Sequence, residues 1–415
     1  MEVYATETEG IGGRIRQFPE DFKVEEILND GSRAQIGPQP PAKIDERGRY
    51  LLCVLVKRNL DTIRAVQEIA RTLDIDPERI QIAGIKDARA VTAQHVTISR
   101  MLPQEVGRTE FDRFRLYPIR FSSEKMSSSL LLGNHFNIIV RNITSSSKSI
   151  QERTERVAKK LASLSGCPNF FGHQRFGTIR SITHLVGKQI LLGEWEKAAL
   201  TFLAKPSPFE HPESRQARER LWNTQNYIEA LESFPRRLTY ERQMLSHLAG
   251  RPGDFKGAFH RLPLKLCQLF VQAYQSYLFN TFLSHRIQRG LPLKEPRAGE
   301  CIVKVNGEDQ FALPLIGYHQ SLSAGEQGEI EKKVLDMEGV GHERFKVPGM
   351  EKISSSGSLR SALTPLIGFK MESTQNSASP ERRMITLEFD LRKGSYATVV
   401  LRETMKPEDP VAAGF

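Results

Sequence analysis

The C-terminal pattern constrains this chain more than any other feature. Ile385–Leu391, ITLEFDL, alternates apolar and polar residues as a half-buried strand does. Gly394-Ser395 then opens Tyr396–Met405, which reads as a helix. The same mixed pattern fills residues 1 to about 165, whereas about 166 to 363 is mostly helical. A chain of 415 residues is too long for one core. The expectation is therefore a first domain completed by the C-terminus and interrupted by a helical insertion.

Within the first region, Phe22–Leu28 and Tyr50–Val56 are rich in β-branched and aromatic residues and read as strands. Asp61 is placed to cap a helix whose Ile63, Val66, Ile69, Ala70 and Leu73 recur at helical spacing. Pro77 marks a turn, and Ile80–Ile85 reads as another strand. His95–Ile98, Phe114–Phe121 and His135–Val140 continue the sheet, and Ile150–Leu164 is an amphipathic helix. Gly31–Arg49, with Pro38, Pro40 and Pro41, reads as a long loop. In the middle region, Leu264–Arg289 is one long helix with Gly290 as its stop. Its Leu266, Leu269, Phe270, Ala273, Tyr274, Tyr277, Leu278 and Phe282 form a core seam. SSSGS at 354–358 and STQNSASPERR at 373–383 read as mobile loops. There is no internal repeat.

A net charge of +10 and a pI near 9.4 point to polyanionic partners, nucleic acid first among them. Cys53, Cys167, Cys267 and Cys301 lie far apart, so neither a zinc ribbon nor a disulfide framework is expected, and a reducing cytoplasm fits. No apolar run approaches the roughly 20 residues that cross a bilayer. The start, MEVYATETEG, does not read as a signal peptide. Phosphate-loop, HExxH and CxxC motifs are absent, and the ten histidines show no metal-ligand spacing.

Four stretches are candidates for chemistry. In AGIKDARAVTAQH, residues 83–95, an apolar run ends on Lys86 and Asp87, followed by small and polar residues. This is either a surface turn or a reaction centre. A desolvated, fixed Asp87 could attack an electrophilic sugar carbon, and a nearby cation would keep it ionised. Lys86 is its neighbour, but strand neighbours face opposite ways, so the partner is expected from elsewhere in the sequence, and Arg16 is one such residue. In RQFPEDFKVEEI, Phe22 follows a turn and reads as core. In GNHFNIIV, Asn134 could read a base edge and Phe136 could stack on it, or both could be structural. In NFFGHQRFGTIR, Arg175 and Arg180 with three phenylalanines suggest an RNA-contact element.

Taken in order, FPEDFKVEE, AGIKDARAVTAQ, GNHF, NFFGHQRFG, QSYLFN (275–280) and KGSYAT resemble the TruD family of pseudouridine synthases, which modifies uridine-13 of transfer RNA. The matches run from residue 16 to about 400 and suggest an archaeal-type member with a long insertion. The resemblance implies an α+β fold. A pseudouridine synthase catalytic domain, a bent mixed or antiparallel sheet with flanking helices, would span 1–166 and 364–415. A mainly helical TRUD insertion domain would span 167–363. The family's nucleophile falls on Asp87 and its basic partner on Arg16, where bacterial members carry Lys; a guanidinium can pair bidentately. Base-contacting residues fall on Phe22, Asn134 and Tyr396, with Phe136 near them; Tyr396 is Phe in some relatives. RNA contacts are expected of Lys86, Arg175 and Arg180.

The implied reaction is an isomerisation that needs no cofactor and no metal, on a uridine flipped from its stack. A dry pocket would strengthen the Arg16–Asp87 pairing. Asp87 would attack C1′, or the base ring, or take a sugar proton. Transfer RNA is the implied partner; no membrane and no protein partner is. Two other readings are a non-catalytic transfer RNA-binding or folding factor, and a hydrolase using Asp87 as base. The hydrolase would need a second carboxylate or a metal site that the sequence does not clearly offer.

Overall fold

The computed structural model describes residues 3–37, 48–107, 111–305, 307–374 and 383–415. The loop expected at 31–49 lies outside these residues from 38 to 47, and most of the loop expected at 373–383 also lies outside them. The chain divides into two compact units. One comprises Thr6–Gly166 and Thr364–Gly414; the other comprises Cys167–Leu363 with residues 1–5 and 415.

The first unit is built on an eight-stranded mixed sheet. Its strands are β1 (Phe22–Leu28), β2 (Tyr50–Arg58), β3 (Ile80–Ile82), β4 (Val91–Ser99), β5 (Phe114–Ser122), β6 (Leu131–Ile143), β7 (Leu366–Thr374) and β8 (Arg383–Arg392). The order is β7-β8-β6-β1-β4-β2-β5, with β3 beside β4. Among the described residues of this sheet, only β1 and β4 run parallel. β8 pairs antiparallel with β6 along most of its length, so residues beyond 364 belong to the same sheet as residues 22–143.

Helix α1 (Thr62–Thr72) starts where Asp61 accepts the N–H groups of Ile63 and Arg64 at 2.8 and 3.1 Å, satisfying two otherwise orphan donors. Its Ala65, Ile69 and Ala70 pack on Leu51, Cys53, Leu55, Val96 and Ile98. Burial of each large apolar side chain here is worth about 1.5–3 kcal/mol. Ile63, expected on this face, is exposed instead. Helices α2 (Ser147–Ser163) and α3 (Ala397–Met405) pack on each other, and α2 also covers β7.

The second unit is mainly helical. Its long helix Leu264–Gln288 buries Phe270, Ala273, Tyr274, Leu278 and Phe282, as the seam predicted, and Gly290 follows it at φ +65°. The helix Thr183–Leu191 lies against it so closely that a Cβ on Gly187 would meet the Phe270 carbonyl. A three-stranded sheet, Ser358–Ser361, Glu308–Leu315 and Ile302–Val305 in that order, completes the unit. The SSSGS segment is a bonded connection, contrary to expectation. Ser355 donates its N–H to the Phe345 carbonyl at 3.0 Å, and its hydroxyl accepts from Gln275 at 2.8 Å.

Candidate active site

The run Ile80–Ile85 leaves the sheet early. Strand β3 ends at Ile82, and Ile85 is 66% exposed. The segment to Ala90 has little apolar surface to bury, so polar groups hold it. Gln94 donates to the Gly84 carbonyl at 3.2 Å. Thr62, at the start of α1, accepts the Lys86 N–H at 3.1 Å. Lys57 is 1% exposed and donates to the carbonyls of Leu60 at 2.8 Å and Asp87 at 2.9 Å, with that of Lys86 at 3.5 Å. An ammonium has three donors, so the three carbonyls match its capacity. Burial pulls the Lys57 pKa down to about 8, against the charges of Asp87 and Asp61.

Arg16 and Asp87 meet. Arg16 Nη2 lies 3.3 Å from Asp87 Oδ1. The pairing is through one nitrogen only, because Nη1 donates to the Gly414 carbonyl at 3.1 Å. Gly414 stands at φ +91°, and a Cβ there would meet the Ile15 carbonyl, so a glycine is required. Arg16 itself is left-handed, φ +54°, and its guanidinium lies 4.0 Å from the centre of the Phe22 ring. Burial lowers the Arg16 pKa and the Asp87 charge acts to raise it. The Asp87 side chain is 42% exposed, so the protein alone does not make the dry pocket that was expected.

Lys86 does not face outward. It is buried, with its Nζ 2.8 Å from Glu26 Oε1 and donating to Asn134 Oδ1 at 2.9 Å. The expected phosphate contact is therefore corrected: this ammonium is held inside by a carboxylate. Glu26 Oε2 also accepts the backbone N–H of His95 at 2.9 Å and lies 3.3 Å from its Nδ1. Burial works to raise the Glu26 pKa, but the His95 hydrogen bond and the Lys86 charge outweigh it and hold the carboxyl below its ordinary value. With Oδ1 of Asn134 engaged by Lys86, its orientation is set, and the amide nitrogen is the group left to donate.

Phe22 is 1% exposed, with Arg16 on its ring and Phe136 edge-on at 6.3 Å. Phe136 is buried and packs on Phe389 at 5.6 Å. As placed, neither ring offers a face to a base: Phe22 carries the Arg16 guanidinium, and Phe136 packs against Phe22 and Phe389. Tyr396 is half-buried at the N-cap of α3, just beyond β8, where Leu391 pairs with Asn134.

In the second unit, Arg175 donates to Ser276 at 3.1 Å and Gln272 at 3.2 Å. Asn280 accepts the Phe171 N–H at 2.8 Å and donates to the Phe171 carbonyl at 3.0 Å. The NFFG and QSYLFN motifs thus bind each other. Arg180 is a correction as well. It donates to the carbonyls of Phe202 and Lys205 at 2.9 and 2.8 Å, closing the end of the helix Trp195–Ala204. Burial brings its pKa down to about 10, and its donors face protein rather than RNA.

Residue-type reasoning missed Lys57, Glu26, Thr62 and Gln94. A signal existed for two of them. Lys57 continues the inward phase of Leu51, Cys53 and Leu55, and Glu26 that of Phe22 and Val24.

The family described as "tRNA pseudouridine synthase D (TruD)" matches residues 1–404. A protein of Methanococcoides burtonii named "Probable tRNA pseudouridine synthase D" is 36% identical over 98% of this chain and 96% of its own. One of the same name from Methanopyrus kandleri is 38% identical over 95% and 94%. A crystal structure from Methanosarcina mazei, described as a TruD, superposes with a TM-score of 0.81 at 36% identity, covering 98% of this chain and 96% of that one. Among the described residues, no helix is long and apolar enough to cross a membrane.

Proposed function

The chain belongs to the TruD family of tRNA pseudouridine synthases, isomerases of transfer RNA, and from that premise we propose that it converts uridine-13 of transfer RNA to pseudouridine with Asp87 as nucleophile. The observation that carries this reading is the Arg16–Asp87 pair. It couples a solvent-reachable carboxylate to a fixed cation, on a segment whose carbonyls are held by Lys57 and Gln94.

The target nucleoside leaves its stack at a cost of a few kcal/mol. Asn134, oriented by Lys86, donates its N–H to a uracil carbonyl. Tyr396 is the aromatic assigned to stack on the base. The flipped nucleoside itself excludes water from Asp87, and the Arg16 charge counts for more once it has. Asp87 Oδ attacks C1′, and the N1–C1′ electron pair leaves with the uracil. The uracil turns, C5 bonds to C1′ as the Asp87 ester is released, the C5 proton is lost to solvent, and N1 takes up a proton in its place. No atom is gained or lost overall. A glycal route, in which Asp87 takes a sugar proton first, uses the same residues. Such a role places the protein in the cytoplasm with its substrate.

Pseudouridine mapping on transfer RNA incubated with wild-type protein and with Asp87→Asn tests the proposal. Pseudouridine at position 13 with wild type and none with Asp87→Asn is expected. Retained modification by the variant would remove Asp87 as nucleophile. Binding of transfer RNA by wild type without modification would favour the non-catalytic reading.

A further inference from the structure

The second unit carries an open groove of about 880 Å³ along the helix Thr239–Gly250. Thr239, Arg242, Ser246 and Gly250 recur every three or four residues and form its floor, so the groove follows one polar face of that helix. Arg236 stands before the helix, Arg251 after it, and Arg261 joins from the segment that leads into the long helix. These three are exposed. Among the described residues, no carboxylate lies within ion-pair distance of Arg236, Arg251 or Arg261.

The site is built rather than merely basic. Arg242 is fixed by the carbonyls of Leu231 at 2.6 Å and Phe234 at 2.8 Å. Arg261 donates its Nε–H to His247 Nδ1 at 3.2 Å, and His247 Nε2 lies 2.8 Å from Asp254 Oδ2. Asp254 also accepts the Gly257 N–H at 2.9 Å, so this carboxylate is engaged. Glu241, on the same helix, is turned inward onto Arg218 at 2.7 Å. Glu241 is thus committed elsewhere, Asp254 is tied to His247 at the edge of the groove and close enough to feel the Arg251 charge, and Arg236, Arg251 and Arg261 are exposed.

We propose that this groove binds the phosphodiester backbone of the transfer RNA substrate, as a docking site separate from the chemistry. Each exposed guanidinium offers a full positive charge to a backbone phosphate. The helical rise puts Arg236 and Arg251 on the order of 20 Å apart, room for several phosphates of one strand. The lining is polar apart from Leu231 and carries no Phe, Tyr or Trp, and its His247 is held between Arg261 and Asp254, so the groove positions backbone and reads no base. The proposal rests on the reading that transfer RNA is the substrate.

The test compares wild type with a combined Arg236→Gln, Arg251→Gln, Arg261→Gln variant. Fluorescence anisotropy gives Kd for full-length transfer RNA across a salt series, and single-turnover assays at saturating RNA give the chemical rate. The expected result is a Kd at least about tenfold weaker, a salt slope shallower by about one for each arginine removed, and a rate within twofold of wild type. The triple Arg→Lys variant keeps the charges and is expected to recover most of the affinity. An unchanged Kd and slope, or a weakened Kd that Lys does not rescue, would overturn the proposal. Binding is measured apart from turnover, so loss of the groove and loss of the catalytic assignment give different results.

Discussion

The cations around Asp87 and those of the Arg236–Arg261 groove serve opposite ends. Lys57, Lys86 and Arg16 are buried or nearly so, and each is matched to acceptors of the protein itself. Arg236, Arg251 and Arg261 are exposed, without carboxylate partners among the described residues. A buried charge with a full set of partners cannot move to meet a ligand, but it can fix the backbone and amides that do. An exposed guanidinium without a carboxylate partner keeps donors available to a polyanion. In a protein with a net charge of +10, where a cation points decides its use more than how many there are.

Four substitutions test this contrast, in order of falling effect. Asp87→Asn is expected to slow pseudouridine formation by at least about 10³-fold while Kd for transfer RNA holds. A smaller loss, read in single-turnover assays, would break the division between fixed site and docking surface at its centre. Glu26→Gln strands the Lys86 charge and should destabilise the fold by roughly 3 kcal/mol, measured by urea unfolding at pH 7. Because the Glu26 carboxyl is held below its ordinary 4.5, the ionised form contributes stability above pH 4.5 that is lost as pH falls through the lower folded value. The variant should show a flatter acid limb; equal limbs would mean that Glu26 carries no such load.

Lys57→Met leaves the carbonyls of Leu60 and Asp87 without their donor and lets the loop drift. The expected loss in kcat is about 10- to 100-fold, with KM within about twofold. The pH effect has the same sign as for Glu26, because the folded pKa is again the lower one, but its window lies at higher pH. The folded Lys57 gives up its proton near pH 8 and the unfolded one near 10.5. Between these values the unfolded chain binds more protons, so wild type should gain stability over Lys57→Met as pH rises from 8 to 10.5. Thermal melts of both proteins across that window check it. A single Arg236→Gln change in the groove should weaken binding only a few-fold, and salt should erase the difference. If it instead lowered kcat, the groove would not be a mere docking surface.

Local signals were legible in the sequence: the Asp61 cap, the seam of the long helix, the Gly290 stop and the alternation of Ile385–Leu391 all depend on neighbours in the chain. Arg16 and Asp87 were paired through the family pattern, and they lie within reach in the fold. What could not be read depends on partners distant in sequence. Lys86 looked like a surface residue because Glu26 and Asn134 are 60 and 48 positions away. Arg180 looked free because the helix end it closes is read only in three dimensions. Phe22 read as core from its own stretch and as a base contact only through the family resemblance, while Phe136 suggested stacking by type; their strand phase puts both inside.

The hydrogen bond from Arg16 to the Gly414 carbonyl spans 398 residues. At about 5–20 residues per second, a ribosome needs roughly 20–80 s to travel that distance. From the making of Asp87 until Gly414 follows, the nascent chain holds the Asp87 segment without the carbonyl that steadies its cation, and for most of that time without β8 beside Asn134. A polypeptide emerging among transfer RNAs would thus lack these supports of the Asp87 segment until residues 383–414 had been made.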